Sequence, residues 1–149
     1  VVGGGVETTA YALTIASFHI VNNPRIYERL HRELVEAFPN GADIDLIKCE
    51  SLPYLKACIL EATRLSYGLS ARNPRTHDRP LQYKEWVIPA NTIVAMTVPE
   101  ISHDEEIFPD SHSFIPERWL GDPKTSDGLP LEKFHVSFGR GPRSCLGIK

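Results

Sequence analysis

The residues with the most chemistry in them form one run, Phe138-Gly139-Arg140-Gly141-Pro142-Arg143-Ser144-Cys145-Leu146-Gly147. A single cysteine sits there among two arginines, in a turn rich in backbone N–H groups and with a helix expected to follow. Positive charge and helix N-terminal amides favour the thiolate over the thiol, and the thiolate is the form that attacks carbon or ligates metal. Gly139 and Gly141 can take backbone angles denied to other residues, which would let the loop lie under a flat ligand and aim its N–H groups at sulfur. Gly147 would let the next helix come close to that ligand. The bland alternative is a buried cysteine beside a glycine-rich turn, the usual fate of a lone cysteine.

Three further constellations carry charge or proton chemistry. In Glu61-Ala62-Thr63-Arg64 the two charges stand three residues apart, and as a solvated helical pair they would contribute only about 0.2–0.5 kcal/mol. Pro116-Glu117-Arg118-Trp119 offers a second guanidinium. Paired completely, one carboxylate and two arginines can pin a long irregular loop. Gly4-Gly5-Val6-Glu7-Thr8-Thr9 places glycines where a helix is expected, at roughly 1 kcal/mol each relative to Ala, so close approach of a ligand is one reason for them. Glu7 followed by Thr8 provides an acid that exchanges protons with water and a hydroxyl that holds a hydrogen-bond network. The alternative is a glycine-rich helix start capped by Thr8.

Other letters carry less. Ser102-His103-Asp104 spells a hydrolase triad, yet three adjacent side chains cannot orient one another. His103 and His112 lack a second cluster at metal-ligand spacing, and His19, His31 and His77 read as ordinary. Cys49 and Cys58 read as small apolar side chains.

The elements that must position these groups are legible in outline. Residues 6–21 are apolar or small on most faces, which predicts a helix buried nearly all round and ending near Asn22 and Asn23. Pro24 opens a second helix with Ile26, Leu30, Leu34 and Phe38 on one face and a Glu28–Arg32 pair across the other. After a turn-rich stretch from Pro39 to Asp45, Pro53 opens a helix through about Leu65, with Leu55, Ile59, Ala62 and Leu65 at helical spacing. Leu81 to Tyr83, Trp86 to Ile88 and Thr92 to Val98 predict a small antiparallel sheet. From Pro99 to Leu131 the prolines and missing periodicity predict an irregular meander with brief helical turns.

The 149 residues, 42% of them hydrophobic, suffice for one core and no more. A net charge of −3 gives no global reason to expect nucleic acid or an anionic membrane. Three cysteines at these spacings fit neither a disulfide framework nor a CxxC zinc pattern, so a reducing compartment is expected. Glu7, Thr8, Thr9, His19 and three consecutive glycines interrupt any transmembrane run in the first 21 residues. The chain opens inside an apolar run without an initiator Met, as expected of a piece of something longer.

With these spacings, the Cys145 segment resembles the cysteine-ligand loop of the cytochrome P450 family. Glu61-Ala62-Thr63-Arg64 matches that family's Glu-x-x-Arg signature. Pro116-Glu117-Arg118-Trp119 looks like the motif that adds a second arginine, and Gly4 to Thr9 resembles the oxygen-binding groove of the long central helix. The match spans essentially the whole chain. It implies a mainly α fold with a small antiparallel sheet, residues 1–149 being the C-terminal haem-binding portion of a single domain truncated at both ends.

The resemblance also implies a cofactor, haem b (iron protoporphyrin IX), its iron held by the Cys145 thiolate. Arg143 would contact a propionate, Phe138 would pack on the cysteine side, and Gly139, Gly147 and Gly5 would lie against the cofactor. The family often places a propionate arginine after the Glu61 helix, and Arg72 is chosen over Arg75. Glu61, Arg64 and Arg118 would form a buried network serving haem-site assembly, and Glu7 and Thr8 would deliver protons. Val1, Val2, Val6, Leu69, Ser70 and Ala71 fall where the substrate pocket touches this region and imply an apolar small molecule.

The implied reaction is monooxygenation with O2 and electrons from an NADPH-dependent reductase, which Arg140 and Lys149 would face, without nucleic acid. A full-length protein would sit on the cytoplasmic face of the endoplasmic reticulum membrane through an N-terminal anchor. Ser66 to Arg75 is similar to fungal members of secondary metabolism. Two alternatives stand beside this: a peroxide-rearranging or dehydrating haem-thiolate enzyme, which usually lacks the Thr8 hydroxyl, and a non-catalytic haem-binding or structural fragment. The isolated chain is expected to be inactive.

Overall fold

The computed structural model describes residues 2–41, 43–68 and 70–148, with residues 2, 3 and 41 described by their backbone alone. Helices dominate: α1 (Val2–Val21), α2 (Pro24–Ala37), α3 (Leu46–Glu50), α4 (Pro53–Ser66) and α5 (Val98–Ser102). The sheet is one antiparallel pair, β1 (Leu81–Tyr83) and β2 (Trp86–Ile88), registered Leu81 to Ile88 and Tyr83 to Trp86 across a tight turn at Lys84 and Glu85. Thr92 to Val98 does not form the expected third strand. Val94 makes a single bridge to Arg75, and Val98 already begins α5, where Thr97 and Glu100 form a reciprocal capping box.

The second helix begins at Pro24 and buries Ile26 and Leu30 as its periodicity predicts. Asn23 caps it by accepting the Ile26 N–H. The expected Glu28–Arg32 pair is not among the ion pairs of the described residues; Arg25 and Arg29 instead reach across to Glu117. That bond joins α2 to the meander.

Helix α4 is the axis of the molecule. Its own N-cap, Leu52, has no side chain that can accept a hydrogen bond, so the cap comes from α2: the Glu33 carboxylate accepts the N–H groups of Tyr54 and Leu55, both at 2.8 Å. One side of α4 packs Tyr54, Cys58, Ala62 and Leu65 against Ile26 and Leu30 of α2 and the Ile15, Ala16 and Ile20 stripe of α1. Its other side packs Ala57 and Leu60 against Phe108, Trp119 and Leu131 of the meander. Of the face expected from spacing, Ala62 and Leu65 are buried but Ile59 is 53% exposed. Two neighbours on different sides rotate the buried arc away from the simple stripe.

Helix α1 departs most from expectation. Only one side of it meets apolar partners among the described residues, and Val6, Leu13, Phe18 and Val21 are each at least 60% exposed. A helix without a polar face announces that it can be buried all round; whether it is depends on what lies beside it. No described helix is long and apolar enough to cross a membrane.

Candidate functional site

The Glu61 carboxylate has no solvent exposure. Arg64, one turn further along α4, grips it in a bidentate pair, Nε to Oε2 at 2.9 Å and Nη2 to Oε1 at 2.8 Å. The meander supplies three more donors: Arg118 Nε and the Ile115 N–H to Oε1, each at 3.0 Å, and Trp119 Nε1 to Oε2 at 2.8 Å. Burial by itself would raise this carboxyl. The hydrogen bonds and charge of Arg64, the Ile115 amide and Arg118 outweigh it and hold Glu61 below the ordinary carboxylate range.

Arg64 has further work. Its Nη1 donates to the carbonyls of Ser102 and Ser111, both at 2.7 Å, its Nη2 donates to Ser113 O at 3.2 Å, and its guanidinium lies 5.1 Å from the centre of the Phe108 ring. Arg118 donates to Pro109 O at 3.0 Å and, more weakly, to Asp110 O. One is the carbonyl at the C-terminal end of α5 and the others belong to the loop that follows, so helix and sheet bonds leave them free to accept. Two arginines held by one carboxylate thus satisfy the backbone of the meander and fix its path.

The structure therefore brings Glu61, Arg64 and Arg118 together. Sequence reasoning did not assign the other members. Trp119 lies in the quoted motif, and a buried indole N–H needs an acceptor, which was the available signal. Its neighbour Glu117 accepts from Arg25, Arg29 and the Tyr54 hydroxyl, tying the same motif to α2 and α4. Burial and the nearby Glu117 carboxylate also push the Cys58 thiol up to about 12, leaving it a packing residue rather than a reactive one.

The Cys145 loop is closed by its own backbone. Gly139 N–H donates to Val136 O at 2.8 Å, Ser144 N–H to Gly141 O at 3.0 Å, and Cys145 N–H to Phe138 O at 2.7 Å. Gly139 at φ +69° and Gly141 at φ +75° occupy the left-handed region that favours glycine. The expectation that the loop amides point at sulfur needs correction. Among the described residues none donates to Cys145 Sγ, because three of those N–H groups are used in closing the turns. Beyond Cys145 the described residues run to Ile148, and Leu146 to Ile148 make one helical turn, in which a Cβ added at Gly147 would lie 3.8 Å from the Cys145 sulfur.

What the loop presents is a thiol on an open apolar face. Cys145 is exposed, with Leu146 93%, Ile148 57% and Phe138 36% exposed around it. Arg143 is exposed and makes no hydrogen bond among the described residues, whereas Arg140 donates to Glu132 O at 2.8 Å. In α1 a Cβ added at Gly4 or Gly5 would meet no atom within 4 Å, so no described protein neighbour requires glycine there. Glu7 and Thr8 are exposed on the same helix. A lone thiol, an apolar surround, a free guanidinium and unexplained glycines are a donor set that fits a flat, apolar, acid-bearing macrocycle such as haem.

Thr8 lies inside α1, not at its start, and its hydroxyl donates to Gly4 O at 2.6 Å, which removes the capping alternative. Arg72 is exposed and pairs with Glu100 at 3.1 Å, and Arg75 donates to the adjacent Pro74 carbonyl. Val6, Ser70 and Ala71 are exposed, whereas Val1, Leu69 and Lys149 and the side chain of Val2 lie outside the described residues. The His103 ring bonds Tyr67 and Ser111 and stacks on His112 at 4.0 Å, and among the described residues it bonds neither Ser102 nor Asp104, so the adjacent Ser-His-Asp letters assemble no triad.

The sequence profile of the cytochrome P450 family matches residues 1–149. A cytochrome P450 monooxygenase of Eupenicillium brefeldianum, orf4, is 49% identical over 97% of this chain, and the sdnE monooxygenase of Sordaria araneosa is 44% identical over 99%. The solved structure of a retinoic acid-bound cyanobacterial CYP120A1 superposes on 96% of the chain with a TM-score of 0.79 and 26% identity. The chain belongs to the cytochrome P450 family. It spans about 30% of the length of these relatives.

Proposed function

We propose that the full-length protein is a haem-thiolate monooxygenase in which this chain supplies the cysteine ligand and the scaffold beneath it. The observation that carries the reading is the Cys145 loop: an exposed thiol on two left-handed glycines, its backbone pinned to Phe138 O. Cys145 would hold the iron, Arg143 a propionate, and Phe138, Gly139, Gly147 and Gly5 would lie against the ring. When bound, the haem supplies oxygen activation, its thiolate ligand favouring O–O cleavage.

The chain's own residues do the rest. Glu61, Arg64 and Arg118 hold the meander and so fix the floor on which the cysteine loop rests. Thr8, with its proton donated to Gly4 O, keeps lone pairs free to accept from water, and the exposed Glu7 beside it exchanges protons with solvent. Together they would deliver the protons that leave with the second oxygen atom as water. The substrate would be an apolar small molecule of secondary metabolism, the class suggested by the likeness of Ser66 to Arg75 to fungal members of the family. Electrons would come from an NADPH-dependent reductase, and the full-length protein would sit on the endoplasmic reticulum membrane. The hydroxyl at Thr8 favours monooxygenation over peroxide rearrangement.

The test is the reduced, carbon monoxide-bound spectrum of the full-length protein and its Cys145→Ala variant. The wild type should give a thiolate-type Soret band and the variant none; a surviving thiolate band would remove Cys145 as the ligand.

A further inference from the structure

The stretch that leads into the cysteine loop is fastened to one turn of α4, and the fastening centres on a residue that neither signature motif contains. His135 Nε2 lies 2.9 Å from Thr63 Oγ1 and 3.2 Å from Leu60 O. A carbonyl such as Leu60 O can only accept, and the single proton of Thr63 Oγ1 faces the carbonyls of Ile59 at 2.8 Å and Leu60 at 3.1 Å, so the ring nitrogen is the donor. Two residues on, Ser137 Oγ donates to Thr63 O at 2.8 Å. Thr63 stands between Glu61 and Arg64, on the turn that carries the buried carboxylate.

The ring is held from a second direction. The Trp119 indole, whose N–H is bonded to Glu61, meets the His135 ring edge to face at 5.6 Å. His135 thus touches both the helix that bears Glu61 and the side chain that bonds to it. Downstream, Gly139 N–H returns to Val136 O, and Phe138 O accepts the Cys145 N–H. The path from the buried network to the thiol is then short and continuous: Glu61 and Trp119, His135 and Ser137, Phe138, Cys145.

We propose that His135 is a positioning residue, a clasp that locks the cysteine loop to α4 and so fixes where the Cys145 sulfur stands. This rests on the haem-thiolate reading above. His135 reaches the sulfur only through the backbone of Ser137 and Phe138. With the clasp open, the loop would keep its internal turns but lose its anchor. The sulfur would then wander from the iron, and the bound thiolate would more readily become a thiol.

The experiment uses full-length protein loaded with haem. It follows the decay of the thiolate-type Soret band of the reduced carbon monoxide complex at fixed temperature. Its variants are His135→Ala, His135→Gln and Thr63→Val. In His135→Gln a side-chain amide N–H can reach the place of Nε2–H; in Thr63→Val the shape is kept and the hydroxyl lost. The loss of one such hydrogen bond should speed the decay about tenfold in Thr63→Val, and His135→Ala, which also gives up the bond to Leu60 O, should decay at least as fast. His135→Gln should return it to within about threefold of wild type. The double variant His135→Ala/Thr63→Val should decay no faster than His135→Ala alone.

Equal decay in wild type and His135→Ala, or full additivity of the two losses, overturns the clasp. So does a Gln variant no better than Ala. If His135→Ala fails to take up haem, Thr63→Val against His135→Gln still decides, because neither removes bulk from the core. A wild type without any thiolate band would instead sink the haem-thiolate reading, an outcome distinguishable from failure of the clasp alone.

Discussion

Glu61 and Cys145 anchor two regions of this chain whose surroundings are opposite. The Glu61 carboxylate receives five donors and no solvent. The Cys145 sulfur is exposed and receives no donor among the described residues. A buried carboxylate must be fully paired or it costs more than it contributes, so that region is finished by the protein alone. The loop, closed by backbone bonds between its own residues, leaves its sulfur and apolar rim open for something else. One region is a closed scaffold; in the function proposed above the other would be the socket.

Breaking the scaffold should have the largest effect. Glu61→Ala leaves Arg64 and Arg118 buried without a counter-charge and should cost about 3–5 kcal/mol, with haem incorporation collapsing in the full-length protein. Arg118→Ala should add less on top of Glu61→Ala than it costs alone, because both remove the same network. Chemical unfolding of the four proteins of that cycle measures both; additive losses with normal haem content would dissolve the network. Cys145→Ala should by contrast stay within about 0.5 kcal/mol of wild type in the haem-free state, as exposed substitutions do.

Acid should separate the regions next. Glu61 is held below its ordinary value of 4.5, so its contribution is complete above that pH and is lost as pH falls through the lowered folded value. His135, kept below 6.5 chiefly by burial, acts in the same sense at higher pH: its stabilising share is present above 6.5 and fades as the ring is forced to protonate. Stability measured from pH 7 down to 3 should fall in both windows. Glu61→Gln should show a shallower drop in the lower one, and an unchanged profile would deny Glu61 this role.

Smaller effects probe the socket side. Thr8→Ala should leave ligation and stability near wild type while lowering product formed per reducing equivalent and raising peroxide. Equal coupling would make Thr8 a structural residue. Arg140→Glu should slow reduction by the reductase a few-fold at low salt, where screening is weakest, and the difference should vanish as salt rises. A reduction rate insensitive to that change would remove Arg140 from the docking face.

Local spacing determined a good deal of this protein. The starts at Pro24 and Pro53, the β1–β2 pair and the nearness of Glu61 to Arg64 all follow from contacts within a few residues, where one helical turn or a tight hairpin fixes geometry. The Cys145 loop was likewise legible, because its glycines and its turns lie within one short segment. Only tertiary structure decided the rest. Trp119 meets Glu61 across 58 residues, and the Arg64 guanidinium finds the carbonyls of Ser102, Ser111 and Ser113. Carbonyls are the same in every residue and leave no mark in a sequence. Thr92 to Val98 has strand-forming side chains but, among the described residues, only one bridging partner, and α1 has apolar residues on every side but described neighbours on one. Propensity and hydropathy state what a segment can bury; the identity of its neighbours decides what it does bury.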